Sequence, residues 1–412
     1  MRVELITTGD EITTGTILNT NAQWLSEQLT ASGFQIVHHA SVPDDPQLIS
    51  AALLAARGRS EAVIVTGGLG ATTDDITLEV AAKAFGVPLV LNHDCLNALR
   101  LAFAKMGRSM TPNNERQAMI PEGGVPISNE VGSAPGCIFL HQGVTYYFLP
   151  GVPREMKPQF DRSVLPHLVG LRGASQVYGQ RVLRCFGLPE AEFDQRLRVV
   201  DLTDVRLSFR VRFPETLVKV AVADADAKKV EVRLKAAAAT IYAALGDHIY
   251  GEEETGLPEV VGSLLKKKGL RLAVAESCTG GRIANIITDV PGSSEWFERG
   301  VVCYSNRSKE EILKVPQPLI AAKGAVSEEV ARALATGIRE LAQVDIGVGV
   351  TGIAGPDGGT SQKPVGTVFI AIAAENSQNK TFTRRFSFPF PRDWFKQMTA
   401  YAALDLVRRT IL

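Results

Sequence analysis

The chain has 412 residues, and its 44 Lys and Arg side chains balance 44 Asp and Glu side chains, so the formal net charge is zero. At this length we expect two or three domains, because a domain usually has about 100–200 residues. The hydrophobic fraction of 45% excludes a disordered chain. A neutral chain has no general attraction for nucleic acid or anionic membranes, so we expect neither as a partner.

Five widely spaced cysteines without a CxxC pair are typical of reduced thiols, and not of a disulfide framework or a structural zinc site. The chain opens with the strand-like sequence RVELITTG, which does not resemble a basic and then apolar signal sequence. No apolar run approaches the roughly 20 residues that span a bilayer. These features predict a cytoplasmic protein.

Residues 1–170 alternate strand-like and helix-like segments. The apolar sequences VELITTG, FQIVHHASV and AVIVTGG predict strands, and each is followed by a segment with helical spacing of apolar residues. The helices are predicted at Asn19–Ala31, Asp45–Arg57 and Thr72–Ala84. This βαβαβα order predicts a parallel sheet with helices on both faces. A further strand is predicted at TYYFLPG.

Residues 171–252 have a different order of predicted elements, after a break in the pattern at residues 168–176. Strands are predicted at QRVLRCFG, VRLSFRVRF, LVKVAVAD and DHIYG, with helices at Glu190–Leu197 and Ala227–Ala244. This split βαβ order predicts a ferredoxin-like α+β domain. We identify no catalytic constellation in it.

The α/β alternation resumes in residues 253–412, after the polar sequence GEEETGLPE. Strands are predicted at RLAVAES, GVVCYSN, DIGVGVTG, GTVFIAIAA and KTFTRRFSF. The predicted helices are Leu257–Lys268, Thr279–Val290, Lys309–Leu313, Glu328–Gln343 and Arg392–Thr410. No histidine follows His248, which excludes Ser-His-Asp and Cys-His mechanisms from this region.

Acidic and glycine-rich turns follow the first three predicted strands. Because the carboxyl ends of parallel strands meet at one edge of a sheet, we expect these turns to form one site. Glycines let a backbone approach a phosphate, and carboxylates beside a phosphate require a bridging cation such as Mg²⁺. The alternative is that the acids are ordinary turn residues, with Thr73 and Asp74 as helix caps. The candidate residues are Gly9, Asp10, Glu11, Asp44, Gly67, Gly68, Gly70, Thr72, Asp74, Asp75 and Thr77.

A second candidate site begins at the turn in RLAVAESCTGG, where Ser277 and Cys278 are both possible nucleophiles. Backbone N–H groups around Cys278, Thr279 and Gly280 can stabilise an oxyanion there. Lys309 can act as a general base if burial lowers its pKa. The alternatives are that Ser277 caps a helix, Cys278 is a core residue and Lys309 is a solvated lysine. Four more candidates are Tyr304 and, in the glycine-rich turn, Thr351, Gly352 and Gly355, while Arg392 is a candidate phosphate ligand.

Two sets of motifs resemble the CinA family. TGDEI, VPDD, GGLGATTDDIT, NNERQAMIPEG, NEVGSAPG and LPGVPREM are similar to its N-terminal domain, which is itself similar to the molybdopterin-binding MoaB/MogA domain. AESCTGG, YSN followed by Lys309, GAVSEEVA, TGIAGPDGG and KPVGTV are similar to its C-terminal domain, a nicotinamide-nucleotide amidohydrolase. Two departures are Ala71, where the family usually has proline, and Lys396, where relatives often carry arginine.

The resemblance implies a three-layer α/β MoaB/MogA-like domain (1–170), a middle α+β domain (171–252) and an α/β amidohydrolase domain (253–412). For the first domain it implies hydrolysis of ADP-ribose-type pyrophosphates, with Asp44 and Asp75 holding Mg²⁺ or another divalent cation and Ser133 contributing to substrate binding. The alternative is a pterin- or nucleotide-binding module without turnover in a competence-associated protein.

For the last domain the resemblance implies deamidation of nicotinamide mononucleotide to nicotinic acid mononucleotide and ammonia, without a cofactor. Ser277 would be the nucleophile and Lys309 the base, with Tyr304 close by and Thr351 and Arg392 binding substrate. We therefore expect small nucleotide substrates as partners, and a homodimer.

Overall fold

The computed structural model describes residues 1–105, 107, 109–173, 177–374 and 381–412. The chain divides into two compact units. The first unit comprises Met1–Gly179 with Ala223–Val232, and the second comprises Gln180–Val222 with Arg233–Leu412. Within the described ranges, no helix is long and apolar enough to cross a membrane. All five cysteines are buried free thiols.

A six-stranded sheet forms the centre of the first unit. The strands of residues 1–170 are β1 (Arg2–Thr8), β2 (Gln35–Val42), β3 (Ala62–Thr66), β4 (Leu89–Leu91), β5 (Met119–Pro121), β6 (Val125–Ile127), β7 (Gly136–His141) and β8 (Val144–Leu149). The sheet order is β2-β1-β3-β8-β7-β6, while β4 and β5 form a separate pair. The first four strands are parallel, as predicted, but β7 and β6 add an antiparallel edge. The prediction missed this edge because β6, with three residues, is too short to show a pattern.

Helices cover both faces of this sheet. They are α1 (Asp10–Thr13), α2 (Thr20–Ala31), α3 (Pro46–Ala55), α4 (Thr77–Phe85), α5 (His93–Lys105), α6 (Pro112–Glu115), α7 (Pro153–Gln159) and α8 (Leu165–Arg172). The alternation of side chains along β3 produces two cores: Val63 packs on one face with Ile49, and Ile64 on the other with Leu25. This arrangement confirms the predicted three-layer domain.

Helix starts follow from side-chain capping. Asn19 accepts a hydrogen bond from the Ala22 amide at the start of α2, and Asp45 caps α3. The predicted start of α4 at Thr72 is wrong by five residues. Its N-cap residue, Ile76, makes no side-chain cap, so the alternative reading of Thr73 and Asp74 as caps is also wrong.

The middle strands are β9 (Val177–Cys185), β10 (Arg206–Arg212), β11 (Glu215–Asp224) and β12 (Ile249–Glu252), with helices α9 (Glu190–Leu197) and α10 (Ala227–Leu245). Their sheet order, β10-β11-β9-β12, is that of the predicted ferredoxin-like fold. The predicted break at residues 168–176 falls partly outside the described residues, and α8 extends into it as far as Arg172.

A five-stranded sheet forms the rest of the second unit. Its strands are β13 (Leu272–Glu276), β14 (Phe297–Val302), β15 (Ile346–Gly352), β16 (Thr367–Ala374) and β17 (Phe382–Ser387), in the order β14-β13-β15-β16-β17. Its helices are α11 (Leu257–Lys268), α12 (Arg282–Thr288), α13 (Asn306–Leu313), α14 (Gln317–Lys323), α15 (Glu328–Ala342) and α16 (Arg392–Ile411). The first three strands in that order are parallel and the last two antiparallel. Helix α14 was not predicted.

Candidate active sites

The first two acidic turns contact each other at the carboxyl edge of the first sheet. The Asp10 amide donates to Asp44 Oδ2 over 3.2 Å, and the Asp44 amide donates to Asp10 Oδ1 over 3.1 Å. Burial raises the pKa of the Asp44 carboxyl, and the negative charges of Asp10, Glu11 and Asp74 raise it further. These four carboxyl groups therefore form an acidic cluster that a cation would stabilise.

The third turn folds around Asp75. Asp75 Oδ2 accepts hydrogen bonds from the Thr72 amide at 2.8 Å and the Thr72 hydroxyl at 2.6 Å. A Cβ atom at Gly70 would lie 2.3 Å from the same oxygen, so a side chain at that position would displace the Asp75 carboxylate. One carboxylate oxygen of Asp75 thus organises the loop.

A cleft of about 540 Å³, here called the first cleft, opens at this edge. Of the predicted residues, it is lined by Gly9, Glu11, Asp44, Gly67, Gly68, Gly70, Asp74, Asp75 and Ser133. Asp10, Thr72 and Thr77 lie beside it and do not line it. The first two bond to Asp44 and Asp75, while Thr77 is fully buried with its hydroxyl 3.1 Å from that of Thr8.

Sequence reasoning missed three polar residues that line the first cleft, namely Asn114, Gln117 and Glu155. They lie in the motifs NNERQAMIPEG and LPGVPREM, whose resemblance to the CinA family could have indicated them. Glu155 accepts a hydrogen bond from the Ala134 amide at 3.4 Å, which holds the loop carrying Ser133. Residues far apart in sequence complete this wall, so strand-end reasoning alone could not find them.

The acids of the first cleft fit a divalent cation held partly by a ligand. Across the described part of the chain, no three His, Cys, Asp or Glu side chains converge into a group that could hold a metal. Mg²⁺ does not need such a cage, because it commonly uses one or two carboxylates, phosphate oxygens and water. Asp44 and Asp75 supply two carboxylates beside a glycine-rich loop. These residues therefore fit a divalent cation that is shared with a phosphate ligand.

The second candidate site lies where β13 turns into α12. Ser277 is 8% exposed, its amide donates to the Val350 carbonyl, and its own carbonyl accepts from the Gly280 amide, both over 3.1 Å. The Gly280 amide is therefore engaged within the turn. Among the described residues, the Cys278 and Thr279 amides donate to no carbonyl or carboxylate, but both face the Cys278 thiol and lower its pKa slightly. They are candidate oxyanion donors, and an oxyanion would compete with that sulfur for them.

Glu276, which sequence reasoning missed, holds this turn together. Its buried carboxylate accepts hydrogen bonds from the amides of Gly281, Ile283 and Ala284, over 3.0, 3.1 and 2.8 Å. This carboxylate satisfies the N-terminal amides that would otherwise need a cap. The alternative reading of Ser277 as the helix cap is therefore wrong.

We expect Glu276→Ala to lower the free energy of unfolding by about 3 kcal/mol, because three buried amides lose a charged acceptor. The shift can be measured from urea unfolding followed by circular dichroism. Glu295→Ala is the matched control, since that carboxylate forms an exposed pair with Lys266. Equal shifts for the two variants would contradict the role assigned to Glu276.

Lys309 is buried, with 1% of its surface exposed, so the alternative of a solvated lysine is wrong. Its Nζ donates to the carbonyls of Cys303, Tyr304 and Ser305 over 2.9, 3.2 and 3.5 Å. Burial lowers the pKa of Lys309. No hydrogen bond joins Nζ to Ser277 Oγ among the described residues, so the expected pair is not in contact. The lowered pKa makes a neutral, proton-accepting amine accessible.

Cys278 has the properties of a core residue. Burial raises the pKa of its thiol to about 12, so the reactive thiolate is scarce at neutral pH. A Cβ atom at Gly352 would lie 3.0 Å from its Sγ, so the glycine allows this close packing.

Thr351 is also buried, and its hydroxyl donates to the Ala325 carbonyl over 2.8 Å. The Thr279 hydroxyl is buried with no hydrogen-bond partner in the described structure.

Arg392 connects two predicted residues. Its Nη1 donates to the Gly355 carbonyl over 2.8 Å and its Nη2 to the Tyr304 hydroxyl over 2.9 Å. Tyr304 is 60% exposed. Its hydroxyl is hydrogen-bonded to Arg392, and among the described residues it has no hydrogen bond to the Ser277 turn. These contacts hold the guanidinium at the start of α16.

A second cleft, of about 560 Å³, lies beside these residues. It is lined by Gly280, Gly281, Arg282, Asn285, Arg392, Asp393 and Lys396. Three cations against one acid favour an anionic ligand such as a phosphate. Ser277 and Lys309 do not line this cleft, but Gly280 joins it to the Ser277 turn. Sequence reasoning missed Arg282 and Asn285, which lie in α12 and line the cleft.

Comparison with known proteins places three matched regions along the chain. Residues 4–169 match the model described as "Probable molybdopterin binding domain", residues 180–251 the "Damage-inducible protein CinA KH domain", and residues 254–411 the "CinA C-terminal domain". Fold and matches together define a multidomain α/β protein with a MoaB/MogA-like domain, a KH-like middle domain and a CinA C-terminal domain.

Relatives of full length carry the same organisation. A CinA-like protein from Anaeromyxobacter sp. (strain Fw109-5) is 42% identical over 99% of this chain and 98% of its own length. A CinA-like protein from Geotalea uraniireducens (strain Rf4) is 40% identical over 100% and 98%. The crystal structure of CinA from Thermoplasma acidophilum is 36% identical, with a TM-score of 0.38, covering 40% of this chain and 98% of that one. The chain belongs to the CinA family.

Proposed function

We propose that the second unit deamidates nicotinamide mononucleotide to nicotinic acid mononucleotide and ammonia. The observation that carries the proposal is a buried lysine of lowered pKa, which interacts electrostatically with Cys278 in the strand–turn–helix motif of Ser277, together with a cationic cleft that includes Gly280 of the same turn. Family membership and the resemblance of AESCTGG to the amidohydrolase motif support it. The nucleotide phosphate would bind in the second cleft, to Arg282, Arg392 and Lys396.

The proposed reaction has two steps. Neutral Lys309 takes the Ser277 proton, and Oγ attacks the carboxamide carbon while the Cys278 and Thr279 amides stabilise the oxyanion. The lysine ammonium returns the proton to the leaving nitrogen, so ammonia departs, and water then hydrolyses the acyl ester to the acid. To reach Ser277, Nζ would exchange its longest contact, the Ser305 carbonyl, for Oγ. Catalytic hydrogen bonds often tighten only when substrate is bound.

The direct test is incubation of the whole chain with nicotinamide mononucleotide, with ammonia and nicotinic acid mononucleotide both quantified. Equal amounts of the two products are expected. A folded chain that binds the nucleotide and releases neither product would reduce the second unit to a binding module.

We also propose that the first unit hydrolyses ADP-ribose-type pyrophosphates with a divalent metal. The acidic cluster beside the glycine-rich loop carries this second proposal. Asp44 and Asp75 would hold the metal, and the loop amides would bind the phosphates. A divalent cation, when bound, neutralises phosphate charge and makes a coordinated water more acidic.

Asp44→Asn should lower magnesium-dependent release of AMP from ADP-ribose at least about 100-fold, since a metal-holding carboxylate is lost. Product is measured by chromatography at fixed Mg²⁺. Asp45→Asn is the matched control, because Asp45 caps α3 and asparagine caps equally well. ADP-ribose bound without product by the unaltered chain would favour a nucleotide-binding module instead.

A further inference from the structure

The beginning of α16 borders the second cleft with one face and contacts Phe213 with another. Arg392 and Lys396, one helical turn apart, line the second cleft. Trp394 and Gln397 contact Phe213, at the tip of the hairpin between β10 and β11. The Phe213 and Trp394 ring centroids are 4.3 Å apart, and Gln397 Nε2 donates to the Phe213 carbonyl over 3.3 Å.

This contact continues along α16 as a stripe with helical spacing. Tyr401 packs against Phe186, with ring centroids 5.9 Å apart, and its hydroxyl donates to Glu215 over 3.5 Å. Arg408, two turns further on, donates to the Asp247 carbonyl. The middle sheet therefore supports α16 along most of its length.

A buried ion pair fixes the turn end of the hairpin, where Glu215 begins β11 opposite Arg212. Arg184 donates through Nε and Nη2 to the two carboxylate oxygens of Glu215, over 2.8 and 2.7 Å, and Tyr250 donates to the same carboxylate. Arg184 and Glu215 are 5% and 3% exposed. A paired, bidentate geometry of this kind restrains position strongly. The hairpin tip is consequently held in place against Trp394.

We propose that Phe213 is a positioning residue for phosphate binding: it fixes the first turn of α16 so that Arg392 and Lys396 face the second cleft. The same turn is also held by the bonds of Arg392 to Gly355 and Tyr304 and by the buried Phe395, whereas its N-cap residue, Pro391, makes no side-chain cap. Phe390 completes the aromatic contact, edge-on to Phe213 with centroids 5.5 Å apart. The inference rests on the proposed deamidase function and assigns the middle domain a part in it.

Comparison of two substrates separates positioning from general structural support. Nicotinamide mononucleotide carries the phosphate that Arg392 and Lys396 would bind, whereas nicotinamide riboside lacks it. Loss of the Phe213 ring should change the kinetic constants only for nicotinamide mononucleotide, the substrate that carries the phosphate. A variant that merely loosens the fold would impair both substrates alike.

We expect Phe213→Ala to raise KM for nicotinamide mononucleotide about tenfold, with kcat within about twofold, because charged contacts to phosphate depend on exact placement of the donors. The constants for nicotinamide riboside should stay unchanged. Phe213→Tyr keeps the ring and should restore KM. Val211→Ala is the matched control, since Val211 lies on β10 and is 57% exposed.

Equal losses for both substrates, or no change in KM, would overturn the inference. If the unaltered chain deamidates neither substrate, the proposed function fails. The positioning role of Phe213 is then tested separately by the binding of inorganic phosphate. Calorimetric titration with inorganic phosphate, with Arg392→Ala as the reference without the site, should then show about tenfold weaker binding for Phe213→Ala. Identical phosphate affinity in Phe213→Ala and the unaltered chain would exclude a positioning role.

Discussion

Ser277→Ala should reduce ammonia release from nicotinamide mononucleotide by about 10⁴-fold or more, because removal of a nucleophile eliminates the covalent route. The hydroxyl makes no cap that the fold needs, since Glu276 already satisfies the amides at the start of α12. The variant should therefore fold and still bind the nucleotide. Ammonia release under saturating substrate, together with calorimetric binding, measures both properties.

Cys278→Ala is the control for Ser277→Ala, because it removes the other candidate nucleophile from the same turn. With its thiol pKa raised to about 12, Cys278 is protonated at neutral pH, so kcat should remain within a few fold. Some stability should be lost, since the thiol packs against Gly352. The reverse pattern, an inactive Cys278→Ala and an active Ser277→Ala, would reassign the nucleophile.

Lys309→Met should lower kcat by about 10³-fold or more, because the proposed general base is lost and a general base contributes about 10²–10⁴-fold. Methionine has a similar length without a charge. Because Nζ donates to three carbonyls, the substitution should also lower the thermal midpoint of the variant. Single-turnover kinetics and the thermal midpoint together test both statements.

The pH profile gives the second measurement on Lys309. The base must be neutral, so kcat/KM should rise with pH through the lowered pKa and level off below the ordinary lysine value. Lys314→Met is the matched control, since Lys314 follows the same helix at an exposed position and its ammonium group donates to the Glu311 carbonyl. An unchanged profile in Lys309→Met would exclude this lysine as the base.

The sequence predicted those features of the sites that depend on strand order. Asp10 and Asp44 meet because consecutive parallel strands end at one edge, and that argument needs only the alternation of apolar segments. Ser277 follows the same reasoning at the end of β13. These positions are set by local patterns, which a single sequence displays directly.

The remaining features of the sites depend on hydrogen bonds between side chains and backbone groups, which the pattern of apolar residues does not display. Lys309 lies in the polar sequence NRSKEEIL, and its burial arises because three carbonyls preceding α13 surround its ammonium group. Helix α12 starts three residues later than predicted because the Glu276 carboxylate substitutes for a cap, which moved Arg282 and Asn285 to the second cleft. At the antiparallel edge of the first sheet, β6 has three residues and is too short to show periodicity.

The Glu276 carboxylate occupies the amino end of α12, which limits the groups that are left to bind an anion. A helix that receives a phosphate on its free amides must keep that end open, whereas here Glu276 fills it permanently. Under the proposed function, the anion would therefore be bound by side chains, chiefly Arg392 and Lys396 on one turn of a different helix. Single substitutions on that turn would then change which anion is accepted, while the turn that carries Ser277 would keep its structure.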